Sequence, residues 1–120
     1  MKILTYNQFN EAFNSNLDAD FNEYEPIING AIAKFIERDP DEWSANDYIK
    51  KQDVQYGSKG IGCNLPNCLV SFVIRQSNTY YSVYDLEECE NCGAYDKLIE
   101  MDDNGDIWMA TVDNYVVVVS

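Results

Sequence analysis

The sequence predicts an α+β fold in which N-terminal helices pack on a C-terminal antiparallel sheet arranged as a meander. Three observations carry this expectation. An apolar stripe at helical spacing fills 24–36, the hydrophobic period changes to two after Lys51, and residues suited to chain reversal separate the period-two segments. The 120 residues are the length of one domain, expected to span 1–120 with 1–51 mainly helical and 52–120 mainly strands. A globule of this size buries roughly two thirds of the surface its unfolded chain exposes, enough for a core.

Each element has a local cause. Tyr6, Phe9, Phe13 and Leu17 recur at helical spacing, and Thr5 followed by Gln8 resembles a capping box, so a first short helix is predicted there. Tyr24, Ile27, Ile28, Ala31, Ile32, Phe35 and Ile36 form the stripe of a second helix, with Pro26 near its start and "RDPD" at 38–41 ending it. Ser44 and Asp47 have the spacing of a cap for a third, short helical segment, with Trp43 placed to staple onto Tyr48.

Strands follow. Val70, Phe72 and Ile74 alternate with Leu69, Ser71 and Val73, and Tyr81 and Val83 alternate with Tyr80, Ser82 and Tyr84. Further strands are expected over 98–101, 107–112 and 115–119, with reversals at Ser77-Asn78, at "DDNG" over 102–105 and at Asp113-Asn114. The four valines at 116–119 predict a strand covered on both faces, because an exposed edge of that composition invites aggregation.

Charge is the strongest bulk signal: 21 Asp and Glu against 8 Lys and Arg, with no His, leave a net charge of −13. Such a field repels phosphate backbones and anionic membranes and attracts basic surfaces, so direct nucleic-acid binding and membrane association are not expected. The opening "MKILTYNQ" lacks the apolar run of a secretion signal, and no segment approaches the roughly 20 apolar residues of a membrane span. The expected compartment is the cytoplasm, where thiols stay reduced.

The absence of histidine removes the usual base for a Ser or Cys nucleophile and the commonest catalytic metal ligand. "YGSKGIG" at 56–62 does not match a phosphate-binding loop, and no two carboxylates are singled out for opposed acid and base duties. "EMDDNGDIW" imitates the first half of a calcium loop but has Thr111 where a bidentate glutamate is required. An enzyme is therefore not expected.

All four cysteines lie between Gly62 and Gly93 as Cys63 and Cys68, then Cys89 and Cys92. A hairpin between the pairs returns its far end beside its near end, which predicts that both pairs meet around one tetrahedral ion. Structural zinc is the first reading; the others are another thiolate-bound metal or cluster, and no metal at all, with four reduced thiols or, outside a reducing compartment, disulfides. "GCNLPNCL" and "CENCG" resemble the two knuckles of the zinc-ribbon class, although the first is longer and has Leu69 in place of glycine. A four-thiolate site has no open position, so the ion implied by that resemblance holds structure and does not catalyse.

The functional expectation is a non-enzymatic acidic protein that blocks a basic partner, most simply a nucleic-acid-processing enzyme or a toxin. In size and acidity alone the chain is similar to toxin-immunity proteins and to phage anti-defence proteins such as anti-CRISPR and anti-restriction inhibitors. The candidate contact residues are Asp18, Asp20, Glu23, Glu25, Glu37, Asp39, Asp41 and Glu42 on the helices, with Asp102, Asp103 and Asp106 as a second surface. Alternatives are a zinc-ribbon accessory subunit docking onto a larger enzyme or transcription complex through its aromatic residues, and a small hydrolase or nuclease using clustered carboxylates with magnesium.

Overall fold

The computed structural model describes residues 6–120, with side chains from Asn16 onward. The predicted Thr5–Gln8 cap and the side chains of Tyr6, Phe9 and Phe13 lie outside the described residues. The two predicted N-terminal helices are one element, α1 (Tyr6–Arg38), with Pro26 inside it. Proline removes one backbone donor from the helical ladder, yet the apolar stripe continues through it, and tertiary packing holds the helix together. Phe21, Ile28, Ala31, Ile32 and Phe35 are all buried along that stripe.

The segment after α1 is short, as the cap signal predicts. Ser44 and Asp47 form a capping box around a 3-10 turn over Ala45–Asp47, the Ser44 N–H donating to Asp47 Oδ2 at 2.8 Å. A second 3-10 turn, Lys51–Asp53, leads into β1 (Val54–Tyr56). Trp43 makes its ring contacts with Phe35 at 4.8 Å and Trp108 at 5.4 Å.

The predicted hairpin forms as β2 (Val70–Ile74) and β3 (Thr79–Asp85), and the predicted terminal hairpin as β4 (Trp108–Val112) and β5 (Tyr115–Val119). The five strands lie in the order β1-β2-β3-β5-β4, every pair antiparallel. Between the hairpins the chain leaves strand geometry: α2 (Leu86–Asn91) and α3 (Ala94–Asp103) replace the strand predicted at 98–101. Asn104-Gly105, expected as a hairpin turn, closes α3 instead. Gly105 at φ +81° and the bonds Asp106 N–H to Met101 O (2.9 Å) and Gly105 N–H to Asp102 O (3.0 Å) make a Schellman cap.

Alternating side chains give the sheet two apolar faces. On one face α1 covers Val54, Phe72, Tyr81, Val83, Val117 and Val119. On the other, α2 and α3 place Cys89, Ala94 and Leu98 against Tyr84, Met109, Val116 and Val118. Residues 116–119 are buried throughout, as expected of a strand enclosed by both layers. Gly30 permits the close approach of α1 to β4, where a Cβ would stand 3.2 Å from Val112 Cγ1. Among the described residues no helix is long and apolar enough to cross a membrane.

Candidate functional site

The cysteine array does not assemble a metal centre. No group of three or more Cys, Asp or Glu among the described residues is placed to hold a metal ion, and Cys63, Cys68, Cys89 and Cys92 are all free thiols. The reason is local. The hairpin brings Val70 and Val83 together in register as predicted, but Asp85 then caps a helix by accepting the Glu88 N–H at 2.9 Å. That helix turns Cys89 fully into the second core and leaves Cys92 exposed at its end. Cys68 remains at the start of β2, donating to the Val70 carbonyl at 3.0 Å.

Structural zinc and the zinc-ribbon resemblance are therefore corrected. The second knuckle is a helix with a buried thiol, and the four sulfurs do not converge. Burial pushes the Cys89 thiol up to about 11, with Cys92 nearby adding to the shift, and burial also raises Cys63 and Cys68. A protonated buried thiol is a poor nucleophile. Under native conditions at mildly alkaline pH, a soluble aromatic disulfide reagent is expected to label exposed Cys92 well before Cys89, which reacts only on global unfolding. Peptide mapping by mass spectrometry over time distinguishes the two, and equal labelling rates at both positions would contradict the burial of Cys89.

The predicted acidic residues divide by what they touch. Asp18 pairs with Lys51 at 3.1 Å, Asp20 accepts a hydrogen bond from the Tyr56 hydroxyl, and Glu25 accepts from Asn29 at 3.4 Å. These residues, with exposed Glu23, lie in the middle of α1, roughly 18–28 Å along the helix from Glu37. The two predicted surfaces are otherwise not separate. The last turn of α1 and the end of α3 converge, and Asp39, Asp102 and Asp103 line one groove of about 500 Å³.

Asp102 ties that groove to the sheet. Its carboxylate takes both Arg38 nitrogens at 3.0 Å and the Met109 N–H at 3.2 Å. The Arg38 guanidinium also lies 4.6 Å from the Trp108 ring centroid. Pairing alternates along an antiparallel strand, so Met109 and Thr111 turn their backbone groups outward on the β4 edge. Asp102 occupies the Met109 donor, and the Lys34 ammonium donates to the Thr111 carbonyl. The edge is thereby blocked against pairing with another strand.

Other carboxylates on the segments that supply this clamp stay outward. Glu37, Asp41, Glu42, Asp103 and Asp106 are exposed and carry no ion pair among the described residues. The signal that missed α2 and α3 was present: "DLEE" at 85–88 has capping-box spacing, and Ala94, Leu98 and Met101 recur at helical spacing.

No protein-family model matches the chain, and neither curated proteins nor solved structures give a significant match. The likeness in class to immunity and phage anti-defence proteins thus finds no support, and with the metal site gone it is withdrawn together with the zinc-ribbon accessory role.

Proposed function

We propose that the chain is a non-enzymatic acidic binding protein that occupies a basic surface on a partner protein, of the kind that ordinarily holds nucleic-acid phosphate. The observation that carries this reading is the groove that Asp39 and Asp103 share where α1 and α3 end, with exposed Glu37, Asp41 and Asp106 close to them along the chain, in a chain of net charge −13. Carboxylates without internal cations present full negative charge to an approaching Lys or Arg, whereas Asp18 and Asp102 are already paired. Long-range attraction of this kind speeds encounter and weakens as salt rises.

The test uses capture from the cells that make the chain, then titration of the recovered protein against two forms. One is wild type, and the other carries Glu37→Gln, Asp41→Asn, Asp103→Asn and Asp106→Asn together. All four are exposed, so the fold should tolerate the changes to within about 0.5 kcal/mol each. The expected partner is basic, binds wild type less tightly as salt increases, and binds the neutralised form at least about tenfold more weakly. Equal binding of both forms, or tight binding of wild type to duplex DNA at physiological salt, would overturn the proposal.

A further inference from the structure

A separate cleft of about 490 Å³ opens beside this surface, between the 42–53 segment and the end of the sheet. Its walls include Trp43, Tyr81 and Trp108, and its rim carries Glu42, Asp47 and Asp53 against a single cation, Lys50. Tyr81 is 4% exposed, and among the described residues its hydroxyl makes no hydrogen bond. No buried side-chain oxygen among the described residues lacks a partner, so this hydroxyl, on an otherwise buried ring, opens onto the cleft and donates there.

The same molecule shows what such walls hold. Arg38 lies over the indole of Trp108 while a carboxylate grips both its guanidinium nitrogens, so one face of that ring already binds a guanidinium of its own chain. Planar guanidinium suits both an indole face and a carboxylate pair, which a point-like ammonium does less well. Around the cleft three carboxylates stand near two indoles. Asp47 gives one oxygen to the Ser44 N–H and keeps the other.

We infer that this cleft receives an extended, arginine-bearing peptide segment of the basic partner. The guanidinium meets the Glu42, Asp47 and Asp53 rim, and a backbone carbonyl of the segment accepts from the Tyr81 hydroxyl. The inference rests on the acidic-binder reading and adds the recognition element that selects within it. Outer carboxylates bring the partner in, and the cleft chooses a chain segment carrying arginine.

The probe is the capped pentapeptide acetyl-Gly-Arg-Gly-Arg-Gly-amide, compared with its lysine and glutamate counterparts and with spermidine. Both tryptophans of the chain line the cleft, so their fluorescence and indole N–H resonances report on it directly. Saturable binding of the arginine peptide is expected to move both indole resonances, with weaker binding of the lysine form and none of the glutamate form. Tyr81→Phe removes one hydroxyl and keeps the ring, and should weaken binding about fivefold. Asp53→Asn, at an exposed position, should weaken it by a similar factor without disturbing the fold.

Binding that leaves the indole resonances and the Tyr81→Phe affinity unchanged would overturn the cleft while the acidic surface stands. Failure of every cationic probe to bind at low ionic strength would remove both. Spermidine binding as tightly as the arginine peptide would overturn recognition of a peptide.

Discussion

Phe35→Ala is expected to lower the thermal midpoint by roughly 12–20 °C. Phe35 is 1% exposed and joins three parts of the chain, with ring centroids 4.8 Å from Trp43 and 5.6 Å from Trp108. Those contacts fasten the end of α1 to the segment that follows it and to the first residue of β4. Truncating a buried Phe costs about 3–5 kcal/mol, because transfer free energy is lost and the cavity collapses only in part. A small domain has only about 5–15 kcal/mol in total. Circular dichroism with heating measures the midpoint, and Glu37→Gln two residues away on the exposed face is the control, with a shift near zero. A midpoint lowered by only a few degrees would mean that the aromatic cluster does not join the layers as described.

The second large effect is loss of stability in alkali. Burial raises Tyr81 and Tyr84 from 10.0 to about 12, with Asp47 adding to the first and Cys68 to the second, and burial raises Cys89 from 9.0 to about 11. The sign follows from proton counts. Below pH 9 these groups are neutral in both states and contribute no pH dependence. As pH rises through 9 and then 10, the unfolded chain releases protons that the folded chain keeps until about 11 and 12. The unfolded state then binds fewer protons, and stability falls with pH.

One pKa unit corresponds to about 1.4 kcal/mol, so by pH 12 the three buried groups together remove stability on the order of 5 kcal/mol. Denaturant midpoints measured from pH 7 upward should fall most steeply beyond pH 9. Tyr84→Phe should flatten the part above pH 10, and tyrosinate absorbance should show phenols that ionise only as the chain unfolds. A stability that stays level to pH 12 would contradict the burial of these groups.

Much of the fold was legible in the residues. The stripe from Tyr24 to Ile36 is the buried face of α1, period-two alternation marked β2, β3, β4 and β5, and Ser44 with Asp47 capped the turn they were expected to cap. Four consecutive valines belonged inside the sheet, and β5 lies between β3 and β4. Misreadings came from signals with two meanings. Asn104-Gly105 suits a hairpin or the end of a helix, because both need a positive φ, and Asp102–Gly105 completes α3. Leu98 to Met101 is too short for period to decide between strand and helix unless Ala94 is counted with it.

The cysteines were misread for a related reason. Spacing in the chain limits which sulfurs can meet, but the direction of each side chain depends on the local backbone. Once Asp85 starts a helix, Cys89 points into the core. The acidic surface follows the same rule. Glu37 and Asp103 look alike in sequence to Asp18 and Asp102, yet the latter two are held by Lys51 and Arg38.

By itself the amino-acid order determined the acidity, the α+β class and the positions of most elements, because propensity, periodicity and capping act over a few neighbouring residues. Tertiary structure decided which carboxylates remain outward, where the thiols point, and that Trp43, Tyr81 and Trp108 share one cleft. These depend on contacts between residues far apart in the chain, and each is set only when the layers close on one another.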